Sequence, residues 1–251
     1  LIRFKHQKAN DPAVEDFQYA FNQDDELTSI NSLFSLPIIA TGQTASVADN
    51  NNRIVSFGAA SFDFNTLGET TSKSVVGVGN TSFDWDHRGR LVKATLPNGQ
   101  EVTYKYDAAN RRVSRTNGTF TSEFLYDVVD VVLDINSDGS KVDYINDPLD
   151  IDEKLRQFST SAGSLYFLQN HLGSTIALAD NASNIVERIQ YDSFGKSSNN
   201  SSLTRYLYTG REFDSSTGLS YYRARWYDHQ QGRFLTEDPL WFKGGLNFYL
   251  Y

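Results

Sequence analysis

The chemically suggestive residues are an oxygen-rich hexapeptide, an acidic run, four histidines and a belt of aromatics. Asp134-Ile135-Asn136-Ser137-Asp138-Gly139 opens like a calcium loop, with oxygen donors at the first, third and fifth positions and glycine at the sixth. The ninth position is Val142 and the twelfth, where a bidentate carboxylate should close the shell, is Ile145. The segment is therefore expected to be a β-turn. Asp143, Asp147, Asp150, Asp152 and Glu153 could collect a hard cation, but such a run more commonly marks a solvated strand-and-turn edge. No metal site is expected. His6, His87, His171 and His229 lie far apart, with no His-x-x-x-His pair and no Gly-x-Ser-x-Gly elbow. A Ser-His-Asp triad would have to form through tertiary contact, and His87 and His171 read as solvated turn residues. Gly244-Gly245 also reads as a turn and lacks the strand–helix context of a phosphate cradle, so no cofactor is expected. Tyr221, Tyr222, Trp226 and Tyr227 are dense enough either to stack on a sugar or to pack as a core.

Any such site must be carried by strands. Apolar residues make up only 39% of the 251, yet Phe, Tyr and Trp number 17, 14 and 3, so burial must lean on flat rings. There is no Cys, which excludes disulfides, thiolate–zinc sites and thiol nucleophiles. No apolar run reaches the length of a spanning helix. A balance of 23 basic to 31 acidic residues supplies no basic footprint for nucleic acid. Met is absent even at position 1, so the chain is expected to be a piece of something longer. Asn80, Asn117, Asn181, Asn199 and Asn200 head Asn-x-Ser/Thr sequons, which matter only in a eukaryotic secretory route.

Helical periodicity is scarce and alternation common: Val102, Tyr104 and Tyr106 share one face of a strand whose other face carries Thr103 and Lys105. Asn98-Gly99, Asn117-Gly118 and Asp138-Gly139 suit tight hairpins because these residues reach positive φ cheaply. The units repeat. Phe62-Asp63-Phe64-Asn65-Thr66-Leu67-Gly68, Phe83-Asp84-Trp85-Asp86-His87-Arg88-Gly89 and Tyr104-Lys105-Tyr106-Asp107-Ala108-Ala109-Asn110 share a pattern, and Phe124-Leu125-Tyr126-Asp127 continues it. The second rings of these units follow one another at 21, 21 and 20 residues. Decayed copies are expected at Tyr19-Ala20-Phe21-Asn22 and at Asp49-Asn50-Asn51-Asn52-Arg53, so the repeat covers roughly 17–130. Paired rings two residues apart should form an aromatic ladder along a sheet, with the following Asp or Asn capping the turn and a Gly or Asn three residues on at positive φ. Ser193 to Leu203 reads as a mobile insertion, and Phe158 to Ser164 as a shorter connection.

This unit resembles the YD repeat of Rhs proteins, Tc-toxin C components, wall-associated repeat proteins and teneurins. The C-terminal third is more specific. Gln169-Asn170-His171-Leu172-Gly173-Ser174-Thr175, Tyr191-Asp192-Ser193-Phe194-Gly195 and Tyr208-Thr209-Gly210-Arg211-Glu212-Phe213-Asp214 resemble successive blocks of the Rhs-associated core. They are followed by Thr217-Gly218-Leu219-Ser220-Tyr221-Tyr222-Arg223-Ala224-Arg225-Trp226-Tyr227-Asp228, Gly232-Arg233-Phe234-Leu235-Thr236-Glu237-Asp238-Pro239 and Gly244-Gly245-Leu246-Asn247-Phe248-Tyr249-Leu250-Tyr251, the family's ending in the same order.

The resemblance implies an all-β chain of antiparallel hairpin repeats, a section of a large spiral β-sheet shell closed by a core or plug segment. It places the hairpin wall at 1–135 and the core segment at 136–251, ending before the expected cleavage site. The implied role is to enclose a C-terminal toxin freed by self-cleavage, secreted or delivered from the cell in interbacterial competition. The implied partners are the rest of the parent chain or a shell subunit, and the enclosed toxin. A surface adhesin of the teneurin or wall-associated kind, binding a glycan or receptor, is the alternative. The family's aspartate chemistry carries over onto Asp238, with Arg233 nearby in the same motif. Aspartyl hydrolysis needs two carboxylates sharing a proton, and no Asp or Glu follows Asp238. Asp238 is therefore either one half of an autoprotease or a cap on the turn before Pro239.

Overall fold

The structure is a computed structural model that describes residues 2–7, 13–21, 27–32, 44–199 and 201–251. The strands are β1 (Ile2–Gln7), β2 (Ala13–Phe21), β3 (Leu27–Ser32), β4 (Ser46–Ala48), β5 (Ile54–Phe57), β6 (Ala60–Phe64), β7 (Thr70–Val75) and β8 (Gly79–Trp85). They continue as β9 (Leu91–Thr95), β10 (Glu101–Tyr106), β11 (Arg112–Asn117), β12 (Phe120–Asp127), β13 (Asp130–Asn136), β14 (Lys141–Asn146), β15 (Lys154–Ser159) and β16 (Gly163–Gln169). The last are β17 (Thr175–Ala179), β18 (Ile185–Arg188), β19 (Glu212–Asp214), β20 (Leu219–Tyr222), β21 (Arg225–Asp228) and β22 (Arg233–Phe234). The helical residues described are two single 3-10 turns, Tyr208–Gly210 and Trp241–Lys243. Two compact units are formed, 1–40 with 142–211 and 41–141 with 212–251.

In the second unit β4 to β13 pair antiparallel in strict sequence, each strand with the next. The expected turn is what links many of them. Asp86 Oδ1 accepts the backbone N–H of Arg88 at 2.8 Å and of Arg90 at 3.1 Å, while Gly89 takes φ +71°. Asp49 with Asn52, Asn65 with Gly68 and Asp107 with Asn110 repeat the device, with φ between +61° and +76° at the last residue. A carboxylate or amide fits here because its oxygen reaches two amides that the turn leaves unpaired, and only Gly or Asn enters the left-handed region cheaply.

The aromatic pairs behave less uniformly than a ladder would. Phe62, Phe83, Tyr104 and Phe124 are buried, but their partners Phe64, Trp85, Tyr106 and Tyr126 are half-buried. Each second ring sits where the strand register slips by a residue, between Asp63 and Phe64, Asp84 and Trp85, Lys105 and Tyr106, and Leu125 and Tyr126. Such a bulge re-aims a side chain. The re-aimed groups donate to the preceding hairpin: Trp85 Nε1 to Thr70 O at 2.7 Å, Tyr106 Oη to Leu91 O at 2.8 Å and Tyr126 Oη to Arg112 O at 2.7 Å. In three of these turns an arginine pairs with the turn's own aspartate and lies over the next unit's ring, while the Asn65 turn carries Glu69 in its place. Arg53 is 5.4 Å from Phe64, Arg90 4.8 Å from Tyr106 and Arg111 5.2 Å from Tyr126. At Tyr106 and Tyr126 successive repeats are thus joined by a cation–π contact and a hydrogen bond as well as by the backbone ladder, whereas Phe64 supplies the ring contact and Trp85 the hydrogen bond.

The repeat departs from expectation at both ends. After Tyr126 the turn tightens to Val128-Val129, with Val128 at φ +50°, and Asp127 pairs across the hairpin with Asp130 instead. Of the copy at Tyr19, the strand β2 with its register slip before Phe21 is present, while Asn22 lies outside the described residues. In the other direction the turn persists well past 130. Asn170, Asp180 and Asp192 each accept two backbone N–H groups, with Gly173, Ser183 and Gly195 at positive φ.

The second unit's core joins its ten strands to the small sheet β19–β20–β21–β22. Phe83, Leu91, Ala94, Val102 and Tyr104 pack with Leu219, Tyr221, Trp226 and Leu235. Ion pairs within this contact are buried: Arg112 Nη2 lies 2.6 Å from Glu212 Oε2, and Arg115 Nε 2.7 Å from Asp214 Oδ2.

In the first unit β14 to β18 pair antiparallel in order, and β1, β2 and β3 form a three-stranded sheet. Its segment before Glu212 is tied to β17, Thr175 Oγ1 donating to Tyr206 O at 2.8 Å. Of the expected insertion at Ser193 to Leu203, Tyr191 bridges Ser197 and Ser198 N donates to Gln190 O, while Asn200 lies outside the described residues. No helix among the described residues is long and apolar enough to cross a membrane.

Candidate functional site

Asp238 follows β22, in a segment that turns and comes back along that strand. Phe234 N donates to Tyr249 O at 3.0 Å, Asp238 N to Phe248 O at 2.9 Å, and Arg233 bridges Leu250. The returning Tyr249 is buried; its hydroxyl donates to Gly68 O at 2.8 Å on the β6–β7 turn and lies 3.3 Å from Glu237 Oε1. Burial, then the Glu237 carboxylate, pushes that phenol well above its ordinary value.

The Asp238 carboxylate has two identified engagements. Oδ1 accepts the Leu240 N–H at 2.8 Å, the turn-capping geometry expected before Pro239. Oδ2 lies 3.0 Å from Arg225 Nη2, with both side chains largely buried. Arg225 is itself fixed: its other terminal nitrogen donates to Phe248 O at 3.2 Å and its guanidinium carbon lies 3.7 Å from the Phe234 ring centroid. Burial lowers the Arg225 pKa from its ordinary value, against the pull of Asp238. A carboxyl group presented on a buried guanidinium can orient a neighbouring group or take part in proton transfer once a second acid is supplied.

Arg233 lies elsewhere in the same strand pair, donating through Nη1 to Asn52 O at 2.8 Å on the β4–β5 turn. The guanidinium on Asp238 is that of Arg225, a residue the sequence reading passed over. The signal was faint, because Arg225 stands thirteen positions before Asp238 among the aromatics of β21 and only the strand pairing joins them. Glu237, the adjacent carboxylate, is directed to Tyr249 and the Gly68 turn.

The other chemically suggestive residues resolve differently. Tyr221, Trp226 and Tyr227 are 1–2% exposed, so these rings pack as core and offer no sugar platform. Tyr222, Tyr227, Phe234 and Tyr251 lie with centroids 5.2–5.9 Å apart in every pairing, so their faces pack on one another, with Tyr251 at the exposed end of the cluster. His229 and Ser220 are buried together at 2.7 Å, a pairing that nothing in their spacing announced. His87 and His171 are exposed in turns, and the His6 side chain lies outside the described residues. Asp134 is a buried residue of β13, and Asn136 to Ser140 form the β-turn expected of that stretch, with Asp138 Oδ1 accepting the Ser140 amide. In the acidic run Asp152 pairs with Arg211 at 2.5 Å, and burial, then Asp147 and Asp150, raises the Glu153 carboxyl. Among the described residues no group of three or more His, Asp or Glu side chains could hold a metal.

Comparison with known proteins bears on this arrangement. The family described as Teneurin YD-shell matches residues 8–245. The tRNA3(Ser)-specific nuclease WapA of Bacillus spizizenii is 30% identical over 198 residues, covering 75% of this chain and 8% of that protein. The toxin subunit YenC1 of Yersinia entomophaga is 28% identical over 207 residues, covering 67% of this chain and 20% of its own length. The crystal structure of TcdB2-TccC3 without its hypervariable C-terminal region superposes with a TM-score of 0.68 at 17% identity, over 99% of this chain and 17% of that one. The chain thus corresponds to a small part of each relative's length.

Proposed function

The chain belongs to the teneurin YD-shell family, and on that premise we propose that it is wall and core of a container for a toxic polypeptide. In this reading the repeats of 1–135 are wall and 136–251 is the core segment that closes it. The enclosed polypeptide is freed by self-cleavage beyond Asp238, and the particle acts after secretion or delivery from the cell. Its partners are the rest of the parent chain or a shell subunit, together with the cargo. The relatives support the reading because they are toxins or nucleases by description, each much longer than this chain.

One observation carries it furthest: the core sheet is seated on the wall strands through buried ion pairs, and the segment after it holds an ordered Asp238–Arg225 pair. A turn cap alone needs only the Leu240 amide; the buried guanidinium is an addition that catalysis would use. Asp238 then supplies one carboxyl of the aspartyl pair and Arg225 orients it. Arg233 serves the same end by fixing the strand to the wall turn at Asn52. Expression of the full open reading frame, read by intact mass, tests this. The wild type is expected to give two polypeptides that stay together on size exclusion, and Asp238→Asn a single one. If both remain whole, Asp238 is a turn cap and the adhesive account of the wall replaces this one.

A further inference from the structure

Two neighbouring glycines close the turn after Asp238, and they are glycine for opposite reasons. Gly245 stands at φ +123°, a conformation L-residues rarely adopt, and a Cβ there would meet nothing within 4 Å. Gly244 stands at φ −86° and ψ −6°, which any residue adopts, but a Cβ there would lie 2.8 Å from Asp238 Oδ2 and 3.2 Å from its Cγ. The first glycine is required by the backbone and the second by the carboxylate.

The contact is built by the turn itself. Trp241 N donates to Asp238 O at 2.9 Å and Gly244 N to Trp241 O at 3.0 Å, which folds the Gly244 Cα back onto the Asp238 side chain. Oδ2 is the oxygen that also faces Arg225 Nη2 at 3.0 Å. Oδ1 is held by the Leu240 amide, and Arg225 is pinned between the Phe234 ring and the Phe248 carbonyl, so neither partner is free to follow a displaced carboxylate. A methyl group at 244 must therefore push Oδ2 away from the guanidinium or lift the turn.

We propose that Gly244 is a positioning residue for self-cleavage: its missing side chain is the space in which the Asp238 carboxylate stays on Arg225. This rests on the reading of Asp238 given above, and the test separates the two. In the full open reading frame, Gly244→Ala is expected to slow self-cleavage roughly ten- to a hundredfold, as for a reacting group misplaced by about an ångström. In an Arg225→Lys background the same change is expected to slow it no further, because the geometry it disturbs is already lost. Equal slowing in both backgrounds, or wild-type cleavage by Gly244→Ala, overturns the proposal while leaving Asp238 in place. Cleavage by Asp238→Asn overturns the earlier reading instead. If Gly244→Ala lowers the melting temperature, Asp238→Ala/Gly244→Ala provides the second readout. The double variant should melt no lower than Asp238→Ala alone, since the collision has been removed, and a further drop of the same size as in the single variant contradicts a collision with the carboxylate.

Discussion

At the buried carboxylate of Asp214 the Tyr104 hydroxyl, the Arg115 guanidinium and the Ser216 amide converge, all within 3.0 Å. Burial alone would raise this carboxyl; Arg115, helped by the Tyr104 hydrogen bond and by Arg112, outweighs it and holds the group below its ordinary 3.8. A depressed folded value adds stability above the unfolded pKa and loses it as pH falls through the folded one. The stability gap between wild type and Asp214→Asn, measured by urea unfolding, should therefore be flat above about pH 5 and narrow below about pH 4. Beside it, Arg112 is fully buried against Glu212, with Phe124 and Tyr221 at 4.8 and 4.7 Å. Arg112→Met removes the guanidinium from the buried Glu212 carboxylate and is expected to cost about 3–5 kcal/mol, much of it regained in Arg112→Met/Glu212→Leu. Both pairs span about a hundred residues of sequence, so neither was legible there: nothing local in Arg112 or Glu212 names the other.

The repeating element was more legible, because its turn is local chemistry. Asp86, Asp107 and Asn65 cap the amides two and four residues on, as their side chains dictate, and Gly89 and Asn110 take the left-handed position. At φ +64°, Asn110→Gly eases the backbone but loses the exposed bonds from Arg88 and Arg90 to Oδ1, so its expected cost is under about 1 kcal/mol, whereas Gly89→Ala at φ +71° should cost about 1 kcal/mol or more in thermal unfolding, its Cβ also coming 3.2 Å from Glu69. What alternation did not reveal is the register slip before each second ring, since a bulge leaves the spacing of the aromatics unchanged. Its consequence is that Tyr106 serves as a link between hairpins and only partly as core. Tyr106→Phe keeps the ring beneath Arg90 and loses both the bond to Leu91 O and the one its hydroxyl accepts from Trp226 Nε1 at 3.3 Å, so the expected cost is about 1–2 kcal/mol. The turn's continuation at Asn170 and Asp180 was hidden for the reverse reason, the rings that mark the repeat being replaced while the capping residue stays; at Asp192 the second ring persists as Tyr191, which donates to Thr175 O at 2.7 Å. The Asp238 turn cap was legible from Asp-Pro; the Arg225 partner, set by strand pairing, was not.

At the largest scale, the last strand in each unit's run among the described residues, β4 in the second unit and β18 in the first, carries the physical consequence. β4 is short, uncharged and exposed, while β18 ends in Glu187 and Arg188. Charge blunts an edge against pairing, and β4 has none. The isolated 251-residue chain is accordingly expected to self-associate with rising concentration in light scattering, and a monomer of 28.3 kDa over the whole range would count against it. Containment is the central claim, and protection from protease tests it most directly. In the longer parent chain proposed above, the enclosed polypeptide should resist digestion in the native particle and be cut rapidly once the Arg112–Glu212 and Arg115–Asp214 pairs are each broken on one side, by Arg112→Met and Arg115→Met. Cutting of that polypeptide at the same rate in both particles would contradict the container account.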